Sequence, residues 1–317
     1  MSTAYPLLAP PFAPSKALRS SADRALPIYF RFQDQLYNTR ENLGSFLDKD
    51  LFTPKIGAVL DYLWLAGLPR PARPLHHQQL LQRIIHPTEN PDNHLVWHEA
   101  GLFVKPIPEY LLDYEFWERN LCHSADLHRS ACGLLLSYAW LISSKLDLRV
   151  AHDTGLLPTD IDFEMWTAFI TDFTSRLDLR TMHQVDPRYG YGELRLTRLN
   201  TLYCLGAAGF SFHKLVYGYL SMSTQYRDFF QRNFGWIVAA FVYMSVVLSA
   251  MQVALATERF QHDARFQGFS YGVALVSIGF VLAAILSMLM ICWSLFWFHL
   301  LSTRRYCDNV AAMRKRE

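Results

Sequence analysis

The sequence predicts a mainly α protein: a cytosolic helical domain with one small β-hairpin, followed by a C-terminal transmembrane helical hairpin. Three observations lead there. Two long uncharged runs lie near the end of the chain, 25 residues between Arg232 and Glu258 and 38 between Arg265 and Arg304. A spanning helix needs about 20 mostly apolar residues to cross roughly 30 Å of hydrocarbon. The last proline is Pro187, so helices beyond it can run without interruption. Upstream, apolar residues recur at intervals of three and four, the period of helices with one buried face.

Residues 1–27 are rich in Pro, Ala and Ser and read as a disordered leader without the basic and apolar segments of a secretory signal. The cytosolic domain is placed at residues 28–232. Ile56, Val59, Leu60, Leu63 and Trp64 follow the i, i+3, i+4, i+7, i+8 pattern and predict an amphipathic helix ended by Gly67. Pro69, Pro71 and Pro74 then force an extended connector. A helix is expected from Leu75 to Ile85, stopped by Pro87. The period changes between His94 and Lys105. There Leu95-Val96-Trp97 and Leu102-Phe103-Val104 flank Glu99-Ala100-Gly101, which predicts a β-hairpin.

Glu109 to Leu121 reads as helix, with Tyr110, Tyr114, Trp117 and Leu121 on one stripe. Leu127 to Leu146 follows, and its apolar portion, Gly133 to Ile142, is too short to span a bilayer and suits the central core helix. Asp160 to Leu177 carries a capping pair, Thr159 and Asp162, and turns Trp166, Phe169, Ile170, Phe173 and Leu177 inward. A helix at Leu194–Leu205 comes next, and His213–Arg232 is expected to lead helically into the first span.

The spans are placed at 233–257 and 271–301, joined by a non-cytosolic link at 258–270 and followed by a basic cytosolic tail at 302–317. Arg304, Arg305, Arg314, Lys315 and Arg316 follow the second span, whereas the link balances Arg259 and Arg265 against Glu258 and Asp263. Basic residues beside short loops stay cytosolic, so both termini should face the cytosol. Phe234, Trp236, Trp293 and Trp297, with Arg304 and Arg305, are the expected interface anchors. Gly279, Ala283 and Ser287 repeat every four residues, as do Ser245 and Ser249, an interval that allows close helix approach. Pairing within the hairpin accounts for these seams as well as homo-oligomerisation does. Gln252 is the strongly polar residue deep in a span, and its amide should face another helix.

Charge excludes some classes. Up to Asn233 there are 23 basic and 24 acidic residues, so no nucleic-acid footprint is indicated. The five cysteines are scattered and fit a reduced compartment rather than a disulfide framework. Asp153-Thr154-Gly155 matches the acid triplet of subtilases and aspartic proteases, but it occurs once, and it is equally a plain turn. Gly268-Phe269-Ser270-Tyr271-Gly272 matches the nucleophile-elbow pattern without the strand that should precede it. Two sets could hold a metal, His94 and His98 with Glu99 and His86, or Cys122, His123, His128 and Cys132. Satisfied core or surface histidines are the competing reading in both. The end of the first span, Ala254-Leu255-Ala256-Thr257-Glu258, lacks the Gly-Met-Asn filter of CorA-type magnesium channels.

Five stretches carry a resemblance: Tyr62-Leu63-Trp64-Leu65-Ala66-Gly67-Leu68-Pro69, His94-Leu95-Val96-Trp97, Lys105-Pro106-Ile107-Pro108, Tyr189-Gly190-Tyr191-Gly192-Glu193-Leu194-Arg195 and Asn233-Phe234-Gly235-Trp236. Together they resemble an uncharacterised fungal family of C-terminally anchored two-span membrane proteins, often labelled subtilisin-like serine protease. The resemblance implies a membrane anchor and brings no established activity, and only one of three subtilase motifs is even partly present. The sequence therefore favours a non-enzymatic membrane-anchored interaction or scaffold protein, with no cofactor. Its expected partners are the lipid bilayer and a protein bound through the cytosolic domain, with homo-oligomerisation open. The alternative is an oligomeric two-span ion channel or transporter, and a hydrolase ranks third.

Overall fold

In the computed structural model, residues 8–20, 26–32, 35–204, 219, 225–257 and 263–314 are described. They belong to two units, Met1–Leu220 and Ser221–Glu317. In chain order the first carries β1 (Tyr29–Phe32), β2 (Gln35–Asn38), α1 (Leu43–Leu51), α2 (Pro54–Gly57), a 3-10 helix at Leu60–Leu65, α3 (Leu75–Leu80), β3 (Ile84–Pro87), β4 (Val96–His98), β5 (Gly101–Val104), α4 (Tyr114–Phe116) running into a π turn, α5 (Ala125–Leu141), α6 (Lys145–Asp153), α7 (Phe163–Ser175), β6 (Leu194–Arg195) and α8 (Leu196–Cys204). The second carries α9 (Gln225–Leu255) and α10 (Ala264–Arg314). The fold is mainly α, as its periodicity requires.

Helix α5 is the centre of the first unit. Its Ser124 cap accepts the Leu127 N–H at 3.4 Å, and Leu134, Leu135, Leu136, Tyr138 and Leu141 are fully buried. Gly133 has a steric role here: a Cβ would lie 2.1 Å from the Tyr189 ring, which packs against the helix. In α7 the Asp162 carboxylate accepts the Met165 N–H at 2.8 Å, and Trp166, Phe169 and Phe173 are buried as the stripe demands.

The sheet runs β3-β5-β4-β6. Strands β4 and β5 form the expected antiparallel hairpin, Val96 opposite Phe103 and Trp97 opposite Leu102, with Glu99 in the left-handed region at φ 50° to close the turn. Side chains alternate across it. Leu95, Leu102 and Val104 join the main core around α5, while Val96 and Leu194 join a smaller cluster with Ile56, Val59, Leu63 and Leu199.

Several expectations are corrected. The helix over Leu75–Ile85 ends at Leu80, because Gln82 turns left-handed at φ 56° and Ile84-Ile85 pair in parallel with Gly101-Leu102. β-branched Ile gains a strand partner there that a helix would not give it. The amphipathic helix from Ile56 is broken into α2 and the 3-10 helix, and Glu109–Leu121 is a 3-10 turn, α4 and a π turn. The predicted Leu127–Leu146 helix is interrupted at Ile142–Ser144, where Ser144 caps α6 instead. The leader is not wholly disordered: Phe12 is fully buried, edge-on to Tyr114, Trp117 and Phe169, and Ala13 N–H donates to Asp172 at 2.6 Å. Proline-rich composition hides this because one aromatic residue supplies the attachment.

In the second unit, Val238–Leu255 and Ala264–Ser287 are each long and apolar enough to cross a membrane, and almost none of either is buried. Helix α10 begins at Ala264, inside the expected link, and continues to Arg314 through most of the expected tail. The two helices contact each other, and Met244, Val247, Leu248 and Met251 of α9 and Ser270, Val273, Ala274 and Ser277 of α10 are partly or fully buried, an i, i+3, i+4, i+7 spacing on both. Ser277 Oγ donates to Val273 O at 2.7 Å and approaches Met244 Sδ at 3.9 Å.

Candidate functional site

Four of the five quoted stretches meet in space. Gly192 N–H donates to Arg70 O and Arg195 N–H to Ala66 O, both at 2.9 Å, and Gly67 bridges Leu194. β6 also pairs in parallel with β4, placing Arg195 beside Trp97. Two glycines make this approach feasible. A Cβ at Gly192 would lie 2.3 Å from Ala72 N, and one at Gly67 would lie 2.5 Å from Glu193 O. Each contact is with backbone, which cannot swing aside.

Glu193 sits at the centre with its carboxylate saturated. Arg73 donates through Nε at 2.8 Å and Nη2 at 2.5 Å, Arg83 Nη1 at 2.7 Å, and Gln78 Nε2 at 2.9 Å. Burial alone would raise the Glu193 carboxyl, but the donors from Arg73, Arg83 and Gln78 outweigh it and hold it at about 2. Arg83 lies over the Trp97 ring at 4.3 Å and Arg195 at 5.1 Å, both within cation–π range. Arg198 Nη1 donates to Leu65 O at 3.2 Å. Among the described residues, the guanidinium groups of Arg70 and Arg195 make no hydrogen bond or ion pair.

The result is a cleft of about 170 Å³ lined by Gly67, Leu68, Arg70, Arg73, Trp97, Glu193, Arg195 and Arg198. Its lining carries four arginines and one glutamate. Planar guanidinium groups offer paired donors that match carboxylate and phosphate oxygens. No Ser, Cys, His or Lys lines it, and Glu193 is fully occupied as an acceptor, so the cleft can bind but holds no poised nucleophile or base.

A buried polar relay lies on the strand segment that carries Trp97. His94 accepts the Lys105 N–H through Nδ1 at 3.0 Å. Its Nε2 lies 2.8 Å from Ser137 Oγ, whose own proton goes to Leu134 O at 2.6 Å. That assignment fixes the neutral Nε2–H form. Burial, helped by Arg188 and Lys105, pushes the His94 pKa well down. Arg188, also buried, donates to His94 O and to Tyr191 O, tying the relay to the segment that bears Glu193.

A model described as a family of unknown function, DUF6601, matches residues 43–281, most of the chain. The chain belongs to that family. Nothing among curated proteins or solved structures matches it.

The structure places the remaining sequence candidates of this DUF6601 chain individually. Asp153-Thr154-Gly155 is the C-terminal turn of α6: Gly155 is left-handed at φ 68°, and Leu156 N–H returns to Ala151 O at 2.8 Å. Gly268–Gly272 lies within α10, and the first residues of that helix, not a strand, lead into it. His94 has both ring nitrogens engaged, and His98 follows on β4. His128 Nε2 contacts Ala9 O at 3.0 Å and its Nδ1 lies 3.6 Å from Cys132 Sγ, while His123 is exposed. Burial pushes the Cys122 thiol up to about 11 and the Cys132 thiol higher. Among the described residues no three His, Cys, Asp or Glu side chains converge to hold a metal ion.

Within the second unit, Gly279, Ala283 and Ser287 are exposed on α10, and Ser245, Ser249 and Gln252 are exposed on α9. Ser245 and Ser249 donate to the carbonyls of Phe241 and Ser245, each at 2.9 Å. Trp293 and Trp297 are exposed and lie 6.1 Å apart. The side chains of Phe234, Trp236, Arg304 and Arg305 lie outside the described residues.

Sequence reasoning missed the arginine cleft. Its residues come from three separated segments of a domain whose overall charge is near zero, and only the glycines of the quoted stretches pointed toward it.

Proposed function

We propose that this DUF6601 chain is an integral membrane protein that spans the bilayer twice with both termini cytosolic, and that its first unit is a non-enzymatic binding module acting through the arginine cleft. The observation that carries this reading is the exposure of apolar side chains along both long helices: Val242, Val246, Val253, Leu282 and Leu286 are all more than half exposed. Such a surface is costly in water and natural in hydrocarbon. The basic residues after Arg304 support the orientation. A protein partner and the bilayer itself are the ligands in view.

Protease applied to sealed vesicles carrying full-length protein, tagged at both ends, tests it. Both tags should be digested from the cytosolic side without detergent. Protection of either tag would overturn the topology. Proximity labelling from the first unit should then return a reproducible partner.

A second reading is an oligomeric two-span channel. It draws on the Gly279–Ala283–Ser287 face, which the pairing of α9 with α10 leaves open to another copy. Ion flux in proteoliposomes would support it, and a monomer in every detergent and lipid tried would remove it.

A further inference from the structure

Next to the arginine cleft, the 3-10 helix and the turn after it expose Tyr62, Trp64, Leu65 and Leu68. In a unit that buries most of its large apolar residues, a Trp 59 % exposed and a Leu 59 % exposed within five residues form an unpartnered patch. It is continuous with the cations. Leu68 lines the cleft, and the Leu65 carbonyl holds the Arg198 guanidinium. Charge is lopsided: Arg70, Arg73, Arg83, Arg195 and Arg198 gather around Glu193, which Arg73 and Arg83 already neutralise. Asp61, on the 3-10 helix, is the acidic residue in that turn.

We propose that this face is a membrane-docking surface, the arginine cleft taking the phosphate of an anionic phospholipid while Trp64, Leu65 and Leu68 enter the interfacial layer. Aromatic residues favour that layer because their rings are apolar at one end and polar at the other. Arginine in a preorganised cleft suits phosphate because its donors are fixed in a plane, and Glu193 fixes Arg73 and Arg83 in place. An acidic peptide could use the cations but would leave the apolar turn idle, so the combination favours a lipid surface. The inference rests on the membrane reading above only in supplying a bilayer nearby. The cleft and patch belong wholly to the first unit.

The test uses full-length protein held in neutral phosphatidylcholine nanodiscs, floated with separate vesicles. Vesicles containing phosphatidic acid should be captured and pure phosphatidylcholine vesicles should not. Arg195→Gln with Arg198→Gln should weaken capture about thirtyfold, from the contribution of two arginines at an anionic surface. Trp64→Ser should weaken it severalfold with no change of charge. The paired change Arg304→Gln and Arg305→Gln, in the other unit, should leave most of the capture in place. An equal loss in that control, or no loss in the cleft and Trp64 variants, would overturn the proposal. Competition settles the source of the phosphate. Inorganic phosphate or an acidic peptide that abolishes capture at micromolar concentration would show a free-anion or peptide site and overturn lipid docking. Unchanged melting of each variant excludes unfolding as the cause. Alkaline carbonate extraction reports the spanning helices independently, so failure of docking and failure of the anchor are separable.

Discussion

The two units treat the same residue types in opposite ways. In the first, Phe12, Leu134, Trp166 and Phe169 are sealed from solvent, and the buried His94 has both ring nitrogens engaged. In the second, Val246, Leu275, Leu286 and Met290 stand open along helices that bury little beyond Ser270 and Ser277. The first unit buries most of its large apolar side chains, the turn around Trp64 being one of its exceptions, whereas the described residues of the second leave most of theirs open. The difference is what the membrane reading proposed above expects, with water around the first unit and lipid around the second. On the membrane reading, hydrocarbon covers what protein does not.

Substitutions can sharpen or break that contrast. The largest effect is expected from Phe12→Ala, which empties a fully buried site between Tyr114, Trp117 and Phe169. A loss of about 3–5 kcal/mol in unfolding free energy is predicted by denaturant titration. A loss near zero would mean that the leader does not belong to the core. Next comes Val246→Arg, midway along Val238–Leu255. Placing Arg at the centre of a span costs about 2.5–3.5 kcal/mol of insertion free energy, so membrane integration should fall clearly in a translocation assay. In water the same change at an exposed site would do almost nothing. Gly192→Ala should destabilise the first unit by roughly 1–3 kcal/mol through overlap with the backbone of Ala72 and Arg70, read as a lower Tm.

The smallest effect is pH dependence from His94. Its folded pKa is lowered by burial, so the unfolded chain binds a proton first as pH falls below about 6.5. Stability is then full above that pH and falls below it, by at most about 1.4 kcal/mol per pH unit. Comparing unfolding at pH 7.5 and pH 5 in the native chain and in His94→Gln isolates this contribution, which the variant should lack.

Much of this contrast is visible in the residues alone. The uncharged runs, the stripe of α7, the apolar stretch in α5 and the Val96/Phe103 hairpin follow from local period and composition, although α7 starts at Phe163 with Asp162 as its cap and not at Asp160 with the Thr159 and Asp162 pair. What local pattern could not show depends on distant partners. Ile84-Ile85 is strand only because Gly101-Leu102 lies beside it. Phe12 is core only because Trp117 and Phe169, more than a hundred residues away, form its pocket. The arginine cleft is the extreme case, since Arg70, Arg83 and Arg195 become neighbours only after Gly67 and Gly192 bring two backbones together. The Gly279–Ala283–Ser287 repeat is legible as a small-residue face; it is exposed on α10, whereas Ser270 and Ser277 are the buried residues of that helix among those described.

Alkaline carbonate extraction of membranes carrying the full-length chain probes the difference between the halves most directly. The protein should stay entirely in the membrane pellet, because two lipid-embedded helices resist both high pH and the loss of peripheral charge contacts. Release into the supernatant would contradict the account, since the apolar faces of α9 and α10 would then have to be covered by protein.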